Sequence, residues 1–247
     1  MSNDSNQFTT LKNAPIENAI VAVKINPLGD VSIIEKINAT LFKEYPDQDK
    51  FTEQAINFHV NAAQPEKTSI NQCQQHTGFI LRSEDKAKEV NLLLGDVVLS
   101  TSHKYKDWEH LIGTYKTIWQ AYEQVNKPDK LLRVGLRYIN RFKMTPNEVS
   151  TVLGIKPVIS TTTPTLLQGV MGRYALQSEV FKSSAIVAVV VEPIEKDLLQ
   201  VILDIDAFDT DIEYHDFESL TGTLERLRML KNHLFFDNIP DAKERFQ

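Results

Sequence analysis

The absences in this 247-residue chain set its limits first. It has one cysteine, Cys73, which excludes an intrachain disulfide and a thiolate metal cage and fits a reducing compartment. Its nine glycines form no Gly-rich phosphate loop, and there is no Gly-x-Ser-x-Gly elbow to present a serine nucleophile. The six histidines (His59, His76, His103, His110, His215 and His233) include no pair at helical spacing backed by a third donor. No metal site and no cofactor are therefore expected. Cys73 and His76 come nearest to a thiol–imidazole dyad, but their Gln-rich stretch offers no helix N-terminus to lower the thiol pKa. The longest apolar run, Ala185 to Val191, is about a third of a membrane span. Met1 to Gln7 carry neither the basic residues nor the apolar run of a secretory signal, so a cytoplasmic location is expected. With 27 Lys and Arg against 33 Asp and Glu, the net charge of −6 disfavours non-specific binding to nucleic acid or to a membrane surface.

What is present is enough apolar residue, 42%, to bury a sizeable core, in a chain long enough for one large domain or two half-size ones. Its organising feature is a repeat. Tyr105-Lys-Asp107-Trp108-Glu109-His-Leu111-Ile-Gly113-Thr114 returns as Tyr214-His-Asp216-Phe217-Glu218-Ser-Leu220-Thr-Gly222-Thr223, with six of ten positions identical. Self-similarity at this level predicts a duplicated unit. The surrounding pattern agrees, giving strand, helix, three strands and helix in each half. In the first half these are a strand at 19–25, a helix at 31–45, a strand at 55–60, and a ladder of 79–82 with 89–100. Residues 62–75 read as a loop or ragged strand entry, and Gly95-Asp96 as a bend or bulge within one strand. In the second half they are a long strand at 131–142, a short helix at 146–154, a Thr-rich loop at 157–164, and strands at 166–180, 185–191 and 198–208. Asp107 and Asp216 cap the two long helices, and Gly113 and Gly222 fall on their outer faces.

The expected architecture is α+β, with antiparallel sheet in each half, helices on one side and a pseudo-twofold relation between halves. Residues 1–13 read as a disordered tail, 14–126 as the first half and 127–247 as the second, packed as one unit. The most distinctive strand runs Arg133-Val-Gly135-Leu-Arg137-Tyr138-Ile-Asn140-Arg141-Phe142. Period-two alternation puts Arg133, Arg137 and Arg141 on one face and Val134, Leu136, Tyr138 and Phe142 on the other. Three guanidiniums suit a small anion or an acidic partner, with Arg173 as a fourth, although pairing with the chain's many Asp and Glu across the sheet is the more ordinary use of such a face. The candidate binding set is Arg133, Arg137, Tyr138, Arg141 and Arg173; no residue stands out as catalytic. Asp204 and Asp206 share a strand face and could hold a hydrated divalent cation, or could simply be solvated there.

Several short motifs together resemble a sporadically distributed prokaryotic family of conserved hypothetical proteins of about this length. They are Pro15-Ile-Glu-Asn-Ala19, Gly135-Leu-Arg137-Tyr138-Ile-Asn140, Leu203-Asp204-Ile-Asp206 and Leu230-x-x-His233-x-x-Phe236-x-x-x-Ile239-Pro-Asp241. The resemblance implies a cytoplasmic α+β protein with no established enzymatic activity, and its patchy distribution implies mobile-element or defence loci. The first functional expectation is a non-enzymatic interaction protein that regulates or neutralises a protein partner encoded nearby, or that forms a homo-oligomer. The alternative is a sensor with a small anionic ligand at the seam between halves, against Arg137 and Tyr138. A metal-dependent enzyme built on Asp204 and Asp206 is the third.

Overall fold

A computed structural model describes residues 8, 10–59, 69–102, 105–153, 169–195 and 197–247, with the backbone alone described at 55–59 and 69–73. The chain opens with strand β1, Ile16–Ile25, whose Ala19, Val21, Val23 and Ile25 are buried. Helix α1, Val31–Leu41, follows, capped by Asp30, whose carboxylate accepts from the Ser32 backbone N–H at 2.8 Å. Its Ile34, Ile37 and Leu41 face the core at helical spacing. Strands β2, Asp47–His59, β3, Ser69–Arg82, β4, Lys88–Leu93, and β5, Asp96–Ser102, then lead into helix α2, Trp108–Glu123. The second half comprises β6, Lys130–Met144, the short helix α3, Pro146–Val152, and strands β7, Val170–Ser178, β8, Ser183–Glu195, and β9, Leu198–Glu213. Helices α4, Phe217–Asn238, and α5, Ala242–Arg245, close it.

All nine strands join one antiparallel sheet in the order β2-β3-β4-β5-β1-β6-β9-β8-β7. Burial alternates along the inner strands, so one face lies under the helices and the other is open. Beneath the helices the core divides in two. The larger part packs α1, α2 and the first half of α4 on β1, β5 and β6 around Tyr115, Trp119 and Tyr122. The smaller packs α3, α5 and the end of α4 on β8 and β9 around Phe142, Phe235 and Phe246. The mixed α+β class and the antiparallel pairing match the expectation. No helix among the described residues is long and apolar enough to cross a membrane.

Two expectations need correction in the first half. The stretch 89–100 is two strands rather than one bent strand. At Leu94 and Gly95 the backbone turns back, and the turn is pinned where Ile25 N–H donates to Gly95 O at 2.9 Å and Leu28 N–H to Leu94 O at 2.8 Å. Four strands, not three, therefore follow α1. The polar stretch before Thr77 is strand as well, since β3 pairs with β2 from Ser69↔His59 to Arg82↔Asp47 but with β4 only from Gly78 onward. Pairing there rests on the β2 ladder, so Asn71-Gln-Cys-Gln-Gln-His76 is strand although its sequence shows no apolar alternation. The Thr-rich stretch 157–164 lies outside the described residues, as does the His103 position.

The repeated motif starts both long helices in the same way. Asp107 and Asp216 adopt nearly the same dihedrals and accept from the backbone of His110 and Ser219, at 2.7 and 2.8 Å. Gly113 and Gly222 are exposed, and a methyl group at either would meet open space.

Candidate functional site

Strand β6 has two faces with different chemistry. On the open face, Arg133 donates twice to Asp206, each bond at 2.8 Å, and lies over the Phe208 ring. Both bonds come from a single Arg133 nitrogen, whereas Arg137 grips Asp204 in a two-pronged fork, Nε and one terminal nitrogen each donating to a different carboxylate oxygen at 2.8 and 2.6 Å. Arg141 reaches Glu17 on β1 at 2.8 Å. The register places these partners side by side, pairing Arg137 with Asp206 and Ile139 with Asp204 across the ladder. Gly135 leaves the room in which the Arg133 guanidinium lies, and a side chain at that position would displace it from its present place. The three expected arginines therefore neutralise carboxylates, and Asp204 and Asp206 are taken by guanidiniums. Arg173 stands alone on β7, separated from β6 by β8 and β9, or about 14 Å at the usual strand spacing. It makes no ion pair among the described residues.

Tyr138 lies on the opposite face from Arg137, so the structure does not bring these two together as a ligand pair. Its buried hydroxyl meets that of Tyr105 at 3.1 Å, and the Lys231 ammonium sits 4.0 Å from the centre of its ring. Around them a cavity of ≈ 410 Å³ opens between α4, β6, the approach to α2 and the N-terminal segment. A second hollow of ≈ 440 Å³ shares Tyr105, Lys106 and Asp107 with it and is otherwise lined from β4 and the turn before it, β5 and the start of α2, without Tyr138, Arg228 or Lys231.

Helix α4 carries the cations. Leu220, Leu224, Leu227 and Leu230 form its buried stripe, and Lys231 falls four residues after Leu227 and three before Leu234, beside that stripe. Lys231 is half-buried and has no carboxylate partner among the described residues. Burial, helped by the charge of Arg228, pulls its pKa down to about 7. Arg228, one turn earlier, is tied to Glu225 at 2.9 Å and stacks 5.0 Å from the centre of the Trp108 ring. The Tyr138 and Tyr105 hydroxyls are both pushed upward by burial, so each remains a neutral O–H donor at physiological pH.

The N-terminal segment forms the outer wall. Phe8 stacks on Phe236 at 5.1 Å and meets the His233 ring edge-on at 4.8 Å. Farther along, the Arg141 backbone N–H donates to Pro15 O at 2.8 Å. The stretch expected as a tail thus contributes Phe8, Leu11 and Lys12 to the cavity. Residues 1–7 and 9 of it lie outside the described residues.

No protein-family model matches the chain, and no curated protein matches it. What the site can do must be read from its geometry alone. Its lining combines aromatic rings with the half-buried amine of Lys231, one guanidinium and two phenols, and the exposed Lys12 and Lys106 offset the carboxylates of Asp107 and Glu109 there, which suits an organic anion better than a metal ion or a polyphosphate. Sequence reasoning missed Lys231, Arg228 and Tyr105 as site residues. The available signal was the lysine's position beside the leucine stripe of α4, where a solvated lysine has no reason to be.

Proposed function

We propose that the protein binds a small organic anion in the cavity between α4, β6, the start of α2 and the N-terminal segment. The observation that carries this reading is Lys231, a half-buried amine with no counter-ion among the described residues, opening onto that cavity. A ligand carboxylate or phosphate would supply the missing partner, while Trp108, Tyr105 and Phe236 would pack its body.

The cavity's position gains meaning if the two halves are copies of one unit about a pseudo-twofold axis between β1 and β6. Several observations support that reading. β5 and β9 flank the central pair β1–β6, and each leads into a long helix with the same capped start. Each motif tyrosine also reaches into the opposite half, Tyr105 to Tyr138 and Tyr214 to Trp119. The offset of 109 residues between Tyr105 and Tyr214 also relates Trp108 to Phe217, the first residues of α2 and α4, and carries β5 onto the later part of β9. On this reading the ligand sits at the seam of the two copies.

The test is thermal unfolding across a panel of carboxylates and phosphate monoesters. A true ligand at a hundred times its dissociation constant adds about 2.7 kcal/mol to stability. That gain should vanish in Lys231→Met, and a flat response across the panel would overturn the reading.

The β7 edge favours a second reading, in which the protein regulates or neutralises a protein partner. Met171 is 80% exposed there, and Tyr174 and Leu176 project from the other side of the same strand. The opposite edge, β2, is guarded by Asp47, Asp49, Lys50 and Glu53, whereas β7 carries only Arg173. An extended strand of the partner would add to β7. Recovery of a stoichiometric partner by wild type but not by a Met171→Lys, Leu176→Lys variant supports this reading; equal recovery by both removes it.

A further inference from the structure

We propose that Lys231 is a nucleophilic amine that captures the keto carbon of a 2-oxo acid as a Schiff base, with the acid's carboxylate seated against Arg228. The proposal rests on the organic-anion reading of the cavity and narrows it to one ligand class.

Three features of the site converge on this chemistry. First, the amine is available. No carboxylate among the described residues holds Lys231 as an ammonium, and Arg228 beside it disfavours a second positive charge. A lysine meant only to bind an anion gains from staying charged; one meant to attack a carbonyl gains from losing its proton. Second, the anion seat lies beside the nucleophile. Arg228 and Lys231 are three residues apart on one helix, a spacing that brings side chains to about 5–6 Å at their Cβ atoms. A 2-oxo acid carries its carboxylate on the carbon next to the carbonyl, so one molecule can meet both groups. The Arg228 guanidinium bonds Glu225 through one nitrogen and stacks on Trp108, which fixes its plane and leaves further N–H donors for a ligand. Third, proton donors are present. The Tyr138 and Tyr105 hydroxyls, 3.1 Å apart, are kept neutral by burial, and the Lys231 amine lies over the Tyr138 ring.

The step balances without an oxidant or reductant. The lone pair of Lys231 Nζ attacks the keto carbon and forms the C–N bond. The carbonyl π electrons move to oxygen, which takes a proton as nitrogen gives one up, leaving a carbinolamine. That hydroxyl takes a proton from the tyrosine pair and departs as water, the nitrogen lone pair forms the C=N bond, and the remaining N–H proton returns to the pair, leaving a neutral imine. Water is the only by-product, and hydrolysis reverses the capture.

Other ionisable groups line the same cavity and share in its pH response. They are Lys12 from the N-terminal segment, Tyr105, Lys106, Asp107 and Glu109 at the α2 approach, Tyr138 from β6 and Arg228 on α4. Of these, Arg228 is the one whose charge acts on Lys231.

The experiment incubates the full chain with pyruvate as probe and cyanoborohydride as trapping reductant, and reads intact mass and the modified peptide. One adduct per chain is expected, located at Lys231 and absent from Lys231→Arg. The trapping rate should climb as pH rises through about 7 and then level off. Ordinary surface lysines would keep accelerating toward about pH 10. A second variant, Arg228→Gln, keeps the amine. It should lower the ratio of pyruvate to acetaldehyde trapping about tenfold or more, because acetaldehyde has no carboxylate to seat. An adduct that persists in Lys231→Arg, or that spreads over several lysines, overturns the proposal. So does the lack of any adduct in wild type. Thermal unfolding with pyruvate separates the two readings. Stabilisation without an adduct ends the Schiff-base proposal and spares anion binding, whereas a flat response to the whole anion panel ends both.

Discussion

Arg137 and Tyr138 are chain neighbours on opposite sides of one sheet, and the two sides treat positive charge differently. On the open side each β6 arginine has a carboxylate within 2.8 Å, and water reaches the pair. On the helix side Lys231 shares a hollow with a guanidinium, faces an aromatic ring and has no carboxylate of its own among the described residues. The richer display of charge is thus the satisfied one. A row of arginines opposite a row of aspartates is self-contained, whereas a single amine left without a partner beside the core costs stability unless something occupies the hollow.

The largest expected difference between the sides concerns the scaffold. Leu136 is fully buried on the helix side of the central strand, so Leu136→Ala should cost about 2–5 kcal/mol in urea unfolding. Arg137→Ala, one residue on, should cost about 1 kcal/mol or less, because its pair with Asp204 is partly exposed. Comparable losses at the two positions would mean that the open face is covered in solution, and the contrast would fail.

A smaller effect should separate Lys231 from every paired cation. Its folded-state pKa of about 7 lies below the ~10.4 of a free lysine. Between those values the unfolded chain binds more protons than the folded one, so this residue makes stability rise with pH across that window. Below pH 7 its destabilising effect is present in full. Lys231→Met, which keeps a long apolar stem, should therefore be more stable than wild type at pH 6 by about 2–4 °C, a shift typical of ~1 kcal/mol in a domain this size. The gap should close as pH rises toward 10. Parallel stability curves for the two proteins would show that Lys231 is as well solvated as a surface lysine.

The same contrast explains how much of the molecule could be read from its residues. Alternation along β6 separated Arg133, Arg137 and Arg141 from Leu136 and Tyr138 correctly, because period two is a local property of a strand. The Asp107 and Asp216 caps were legible for the same reason, since a cap bonds residues two or three places away. The pairing of Arg137 with Asp204 was not legible, because it depends on β9 lying beside β6, which no local pattern states. The β4–β5 turn was missed because Gly95-Asp96 reads equally well as a bulge or a hairpin, and its bonds to Ile25 and Leu28 come from elsewhere in the chain. Lys231 was passed over for a different reason. Clusters of charge stand out in a sequence, whereas this residue is a single lysine set beside a run of leucines.

The smallest prediction tests whether the open-face ladder is only neutralisation. A double-mutant cycle of Arg137→Ala and Asp204→Ala isolates their coupling from the loss of packing along the arginine stem. For a two-pronged pair with the guanidinium 44% exposed, the coupling should be about 0.2–1 kcal/mol and should shrink at 1 M salt, where the Debye length falls to ~3 Å. Coupling of that size leaves the ladder as a local device that lets an arginine-rich strand sit beside an aspartate-rich one. A coupling several times larger, insensitive to salt, would mean that water is excluded from the pair. Some other surface would then have to cover the open face, and the partner-binding reading would gain over the cavity.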